Sequence, residues 1–362
     1  MKHEKYQING NWYLAEQLVE GAYEIDDEYL LKAMNFCREW LSSKKEFIQQ
    51  TSGSTGVPKK ITINRRQMEA SAKFTCEALP LHPGMHALIC VNVDFIAGKM
   101  MLIRCLEHGM HMTIIPPSAN PLLAVDNSST IDFTAMVPLQ VSTILENRET
   151  ASSFLSIKNV IVGGAALSDN LKTVIEKLGV DVYATYGMTE TVSHIALQKL
   201  NGAEKQEYFQ AFPEVKLGQD ERGCLTIESI LTNHQKIITN DVVDLIAPHT
   251  FRWLGRADNI INSGGIKIQI EVLEKKITNI LAADNIALKF AITNTSDDKL
   301  GEKTIMVIEN RSMDSTVEKI LKKYLPAYEV PKSFILVPQL PYTASGKLDR
   351  QTLKNILNER CI

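Results

Sequence analysis

Gln50-Thr51-Ser52-Gly53-Ser54-Thr55-Gly56-Val57-Pro58-Lys59-Lys60 is a run of hydroxyls and glycines with a basic end, set between a helical stretch and the strand-like Ile61-Thr62-Ile63. Glycines let backbone N–H groups converge where a Cβ would intrude, and hydroxyls and lysines add donors, which is what a loop wrapping phosphate oxygens needs. A plain surface turn has the same composition. The Walker A pattern started at Gly53 fails, because it requires glycine where Pro58 stands and a hydroxyl residue where Lys60 stands. A nucleotide held here belongs to a different fold.

Working outward, Leu30, Met34, Cys37 and Leu41 recur at helical spacing ahead of the loop. Behind it, short apolar segments at 87–93, 111–115, 133–137, 159–162 and 180–183 alternate with helical ones, the mark of a mostly parallel sheet covered on both faces. Ligands gather at the C-terminal ends of such strands. Gly163-Gly164-Ala165 and Tyr186-Gly187-Met188 stand there. From 207 to 252 the strands are shorter and no long helix intervenes, which predicts an antiparallel, barrel-like piece. Beyond it an α+β unit of about a hundred residues is expected. The fold class is thus an α/β large domain with a small barrel-like subdomain, followed by a mobile α+β C-terminal domain.

With 362 residues the chain has room for two or three cores. A net charge of −3 offers nothing to nucleic acid. The six cysteines are scattered singly, without a C-x-x-C pair, and read as reduced core residues. No signal peptide and no bilayer-spanning run is visible, so a cytoplasmic protein without membrane insertion is expected. Oligomeric state stays open, a homodimer among the options.

Several residues could carry chemistry. Glu190 could hold Mg²⁺ beside phosphates or simply open a helix in solvent. Asp241 suits a ribose diol or an ordinary turn. Arg256 beside Asp258 could be a surface pair, and Lys347 a solvated lysine. Their wording and order decide more. Thr51–Lys59, Gly163-Gly164-Ala165-Ala166-Leu167, Tyr186-Gly187-Met188-Thr189-Glu190-Thr191, Thr239-Asn240-Asp241, Phe251–Asp258 with Ile261-Asn262-Ser263-Gly264-Gly265, and Pro341–Leu348 follow one another as the motifs of one superfamily do. The chain resembles the adenylate-forming acyl/aryl-CoA synthetases.

The resemblance implies the following roles. Thr51, Ser52, Gly53, Ser54, Thr55, Gly56 and Lys59 would cradle the β- and γ-phosphates of ATP. Gly164, Ala165, Tyr186 and Gly187 would hold adenine. Thr189 would touch the α-phosphate, Glu190 would bind Mg²⁺, and Asp241 with Arg256 would take the ribose hydroxyls. Lys347 would be catalytic, bridging the acid's carboxylate and the α-phosphate. Residues 1–255 would form the large adenylate-binding domain, 256–258 the hinge centred on Asp258, and 259–362 the small domain. Its Gly264-Gly265 turn would face coenzyme A in the second step. One acid–thiol ligase would form an acyl-adenylate, then a thioester, releasing pyrophosphate and AMP.

Two departures stand out. The phosphate loop comes near residue 50, earlier than in relatives, so the large domain reads as shortened at its N-terminus. Phe95 replaces a customary histidine ahead of a helix, and Phe95, Lys99 and Arg104 there resemble the o-succinylbenzoate–CoA ligases of menaquinone synthesis. Arg104 would meet a second carboxylate, unless it lies on the solvated side of its helix; Ser193 and His194 would line the same acid pocket. A phenylacetate- or benzoate-type ligase is the alternative, and a non-catalytic nucleotide-binding protein a more distant one.

Overall fold

The computed structural model describes residues 3–42, 44–50, 60–126, 130–309, 315–342 and 348–359. Two compact units divide the chain. One comprises Met1–Gly218, Thr226–Ile237 and Ile246–Phe251, the other Gln219–Leu225, Ile238–Leu245 and Arg252–Ile362.

The larger unit opens with a hairpin of β1 (Lys5–Ile8) and β2 (Asn11–Leu14) that the sequence pattern did not announce. Its signal is non-local. Ile8 pairs with Met112, and the Asn9 side chain both donates to and accepts from the backbone of Ile114, at 3.1 and 2.7 Å. The helix Glu28–Leu41 follows, capped by Asp27 and burying Met34, Phe36, Cys37 and Trp40. Next, β3 (Glu46–Gln50) and β4 (Lys60–Asn64) pair antiparallel with Gln50 opposite Lys60, the two described residues that flank segment 51–59. The segment's own residues lie outside the described ones.

The centre of this unit is parallel, as the alternation predicts. β5 (His86–Ile89) lies between β6 (His111–Ile114) and β7 (Phe133–Met136), and β8 (Asn159–Val162) and β9 (Asp181–Gly187) extend the parallel run. All four residues of β8 are buried, as a strand covered on both faces requires. Leu88, Val141, Ile144, Phe154, Val160, Val182 and their neighbours form the core between strands and helices. Beyond β9 the direction alternates: β10 (His194–Lys199) and β11 (Phe209–Ala211) are antiparallel. The strands expected next are β12 (Lys216–Gln219), β13 (Cys224–Glu228), β14 (Ile237–Ala247) and β15 (Thr250–Arg256), neighbours in that order within the 13-stranded sheet; of their residues, 219, 224–225, 238–245 and 252–256 are counted in the smaller unit.

In the smaller unit, β16 (Ile260–Ser263), β17 (Ile266–Gln269), β18 (Phe290–Asp297), β19 (Gly301–Glu309) and β20 (Ser333–Val337) make a five-stranded mixed sheet. Helices Ile270–Ala283 and Ser315–Tyr324 pack on it through Leu273, Ile277, Leu281, Val317 and Leu321. The helix Arg350–Glu359 supplies Leu353 and Leu357 to a second cluster with Ile305, Val307 and Ile335. The architecture is therefore a large mixed α/β region and a smaller α+β C-terminal one.

Candidate active site

Arg104 sits on the helix Ile96–His108, whose start is pressed against the chain at Asn92: a Cβ on Gly98 would stand 2.4 Å from the Asn92 carbonyl oxygen. That contact requires glycine and sets the helix's position. The alternative of a solvated arginine is not realised, since Arg104 is 2% exposed. Burial pushes its pKa down from 12.5 to about 10. Its Nη2 donates to Ser193 Oγ at 3.0 Å, while Nε finds no partner. No carboxylate pairs with it among the described residues.

Ser193 is aimed by an unusual turn. Val192 has φ +66° and ψ −57°, and Ser193 N donates to Thr191 O at 2.7 Å, closing a γ-turn of the rare positive-φ kind. A β-branched residue there is strained. The surroundings hold it. Val192 is fully buried, and Thr191 Oγ1 accepts from Met188 N at 3.0 Å and lies 2.7 Å from Ser193 O as donor. Gly187 completes the clamp, because a Cβ there would come within 2.3 Å of Ser193 O and 2.4 Å of His194 Cα.

His194 is buried, with Nδ1 3.4 Å from Ser193 Oγ and Nε2 3.1 Å from Thr75 Oγ1. Burial, and then the Arg104 charge, hold its pKa well below the usual histidine value. Hydrogen bonds thus gather Arg104, Ser193 and His194, as the sequence reading grouped them, and add Thr75, which it did not single out. Phe95 and Lys99 stand outside that chain. Phe95 is half-exposed at the head of the helix, and Lys99 donates to Gln49 Oε1 at 3.2 Å with its ammonium over Phe36.

Elsewhere in the same unit, Gly164 has φ +81° and lies exposed beyond β8. Tyr186 packs edge-on to Phe251 at 5.0 Å and beside Phe209 at 5.8 Å. Phe209 and Phe251 are stacked at 5.5 Å; Phe251 opens the Phe251–Asp258 motif, but its role as a support for Tyr186 was not announced, and no motif contains Phe209. Thr189 and Glu190 follow in a 3₁₀ turn, with the Glu190 carboxylate exposed.

In the smaller unit Asp241 is oriented from two directions. Its N–H donates to Thr239 Oγ1 at 3.0 Å, and its Oδ1 accepts from Trp253 Nε1 at 3.1 Å. Beside it, Asn240 Oδ1 accepts from Arg222 Nη1 at 3.1 Å. Arg256 forks onto Asp258 with bonds of 3.0 and 2.9 Å, which hold the Asp258 carboxyl below its usual range. Gly264 and Gly265 have φ +59° and +82° between the paired residues Ser263 and Ile266. That is a two-residue hairpin loop with both residues left-handed, which glycine pairs favour. Lys347 lies outside the described residues; on either side of 343–347, Tyr342 and Leu348 form a β-bridge, and Arg350 Nη2 donates to half-buried Glu274 at 2.8 Å.

The model of the AMP-binding enzyme family matches residues 35–217, half of the chain. The chain belongs to that family. A crystal structure described as an acyl-CoA synthetase (AMP-forming)/AMP-acid ligase II-like protein, from Dyadobacter fermentans, is 40% identical, with 94% of this chain and 97% of that one covered and a TM-score of 0.65. The 2-succinylbenzoate–CoA ligase of Escherichia coli K12 is 26% identical over 349 residues, covering 93% of this chain and 72% of its own length. The Bacillus subtilis O-succinylbenzoate coenzyme A synthetase, solved with ATP and magnesium ion, shares the fold at TM-score 0.68 and 20% identity, covering 85% of this chain and 69% of that one. Family membership makes this chain an enzyme of the adenylate-forming ligase superfamily. Among its described residues, no three His, Cys, Asp or Glu side chains are grouped to hold a metal, and no helix is long and apolar enough to cross a membrane.

Proposed function

We propose that this AMP-binding family enzyme is an ATP-dependent acid–CoA ligase whose acid is a dicarboxylate of the 2-succinylbenzoate type, in menaquinone synthesis. The observation that carries the choice of acid is Arg104, a guanidinium taken out of water with Nε unbonded and no carboxylate paired to it among the described residues. A buried charge is stable only when paired. A substrate with one carboxylate for activation and a second for Arg104 supplies the missing partner through charge-assisted hydrogen bonds. The 26%-identical ligases named for that acid support the same reading.

In the proposed mechanism the acid's reacting carboxylate attacks the α-phosphorus of ATP and pyrophosphate leaves. Glu190 is an exposed hard-oxygen donor that belongs to no group of three metal-binding side chains among the described residues, which fits Mg²⁺ held by one carboxylate plus nucleotide phosphates. When bound, that ion supplies positive charge to the phosphoryl oxygens. Lys347 brings the acid's carboxylate and the α-phosphate together, and Thr51–Lys59 grip the leaving pyrophosphate. Tyr186, backed by Phe209 and Phe251, and Gly164 and Ala165 take adenine. Asp241 and Arg256 take the ribose. Coenzyme A then attacks the acyl-adenylate, with residues 256–258 as the hinge that exchanges Lys347 for the Gly264-Gly265 turn. No protein nucleophile is required.

Pyrophosphate release with ATP, Mg²⁺ and a panel of acids tests this. The expected result is strong preference for 2-succinylbenzoate over benzoate, phenylacetate and fatty acids. No stimulation by any acid would refute the ligase. A preference for a monocarboxylate would refute the assignment of the acid.

A further inference from the structure

We propose that Thr75 is a positioning residue for acid recognition, acting through His194 and Ser193 to fix the guanidinium of Arg104. The inference rests on the reading above that Arg104 meets the acid's second carboxylate, but its core is the direction of each hydrogen bond.

Four contacts form a chain. They are Arg104 Nη2 to Ser193 Oγ at 3.0 Å, Ser193 Oγ to His194 Nδ1 at 3.4 Å, His194 Nε2 to Thr75 Oγ1 at 3.1 Å, and Thr75 Oγ1 to Ser71 O at 3.0 Å. A guanidinium has only donors and a carbonyl only accepts. At one end, therefore, the Ser193 oxygen accepts from Arg104, and its single proton is left for His194 Nδ1. At the other end, Thr75 gives its proton to Ser71 O and accepts from His194 Nε2. Both ends demand the same histidine, neutral with its proton on Nε2. One hydroxyl at Thr75 thereby sets the tautomer, the tautomer sets the Ser193 rotor, and the Ser193 lone pair holds one arm of the guanidinium.

The surroundings keep the chain from reorganising. Thr75 and Ser71 are fully buried on the helix Arg65–Ala78, the imidazole packs against Phe212 at 5.5 Å, and Val192 and Gly187 fix the backbone that carries Ser193. Both ring nitrogens of His194 are thus engaged, by Ser193 and by Thr75. A guanidinium fixed this way presents its remaining N–H groups, Nε among them, in one plane, as bidentate capture of a carboxylate requires.

The test uses Thr75→Val, which keeps the shape and removes the hydroxyl, and Thr75→Ser, which restores it. The His194 tautomer is read from long-range ¹H–¹⁵N NMR correlations, and KM and kcat are measured for 2-succinylbenzoate and for benzoate. In the wild type the Nε2–H form is expected; an Nδ1–H or doubly protonated ring there overturns the proposal without any variant. Thr75→Val should lose the pure Nε2–H signature and raise the dicarboxylate KM about tenfold or more, with kcat and the benzoate KM little changed. Thr75→Ser should return both to the wild-type pattern. An unchanged tautomer and unchanged KM ratio in Thr75→Val would overturn the positioning role. If the wild type shows no preference for a second carboxylate, the proposed substrate fails, while the tautomer still decides the chain.

Discussion

Replacing Arg104 by Met should make the unliganded protein more stable and the enzyme worse at choosing its acid. Methionine nearly fills the arginine stem's volume and brings no charge into the site. The fall of the Arg104 pKa from 12.5 to about 10 corresponds to about 3 kcal/mol against the charged form on folding. The sign follows from its being a base with a lowered folded pKa. The cost applies at every pH below about 10 and fades only above it. Arg104→Met removes that cost and one bond to Ser193, worth about 1.5–3 kcal/mol for a charged donor. The expected net is zero to about 2 kcal/mol of stabilisation, in line with other buried charges exchanged for apolar side chains. Binding moves the other way. Removing the cation leaves the second carboxylate desolvated and unpaired, which costs about 3 kcal/mol, or about a hundredfold in the dicarboxylate KM. Denaturant melts of the unliganded protein and KM values for 2-succinylbenzoate and benzoate measure both arms. A variant destabilised by several kcal/mol would mean that the guanidinium has a counter-charge inside the protein. KM values that rise together for both acids would mean that Arg104 does not read the second carboxylate.

Gly187→Ala should destabilise by about 1–3 kcal/mol, because its Cβ meets backbone at Ser193 and His194 that cannot rotate away; an unchanged denaturation midpoint would contradict that contact. His194 is a base with a depressed folded pKa, so the unfolded chain takes up its proton first as pH falls below 6.5. Stability should drop by about 1.4 kcal/mol per pH unit there on this residue's account, and His194→Gln should flatten that slope in pH-dependent urea melts. Trp253→Phe removes the indole donor from Asp241 and should raise the KM for ATP about tenfold without moving the KM for the acid. Equal changes in both would detach Asp241 from the nucleotide.

The parallel core was legible because its strands are short, largely buried apolar runs separated by helices of ordinary length, so the alternation marks them. The Tyr186–Thr191 and Thr239–Asp241 motifs were legible as wording. The supports of those motifs were not. Phe209 and Phe251 reach Tyr186 across antiparallel pairing that joins distant segments, and Trp253 reaches Asp241 from the neighbouring strand. Thr75 looks like any helix-interior threonine until the fold closes its 119-residue separation from His194. Arg104 was legible as a candidate but not as buried, because the apolar residues around it leave its helix without a clearly polar face. The hairpin at residues 5–14 was missed for the same reason as the aromatics, since β1 is fixed by a partner about a hundred residues on.

The backbone contact between Gly187 and Ser193–His194 bears on how such an enzyme can change over evolutionary time. In the proposed function residue 187 belongs to the segment beside the nucleotide, and 193–194 to the segment beside the acid; with main chain against main chain, an insertion in one would displace the other. Loop lengthening, the usual route to new specificity, is closed between 187 and 194. If the proposed acid site is right, new acids have to be reached by exchanging side chains at 104, 193 and 194 on an unaltered trace, so related ligases with other substrates should differ here in residue identity and not in spacing.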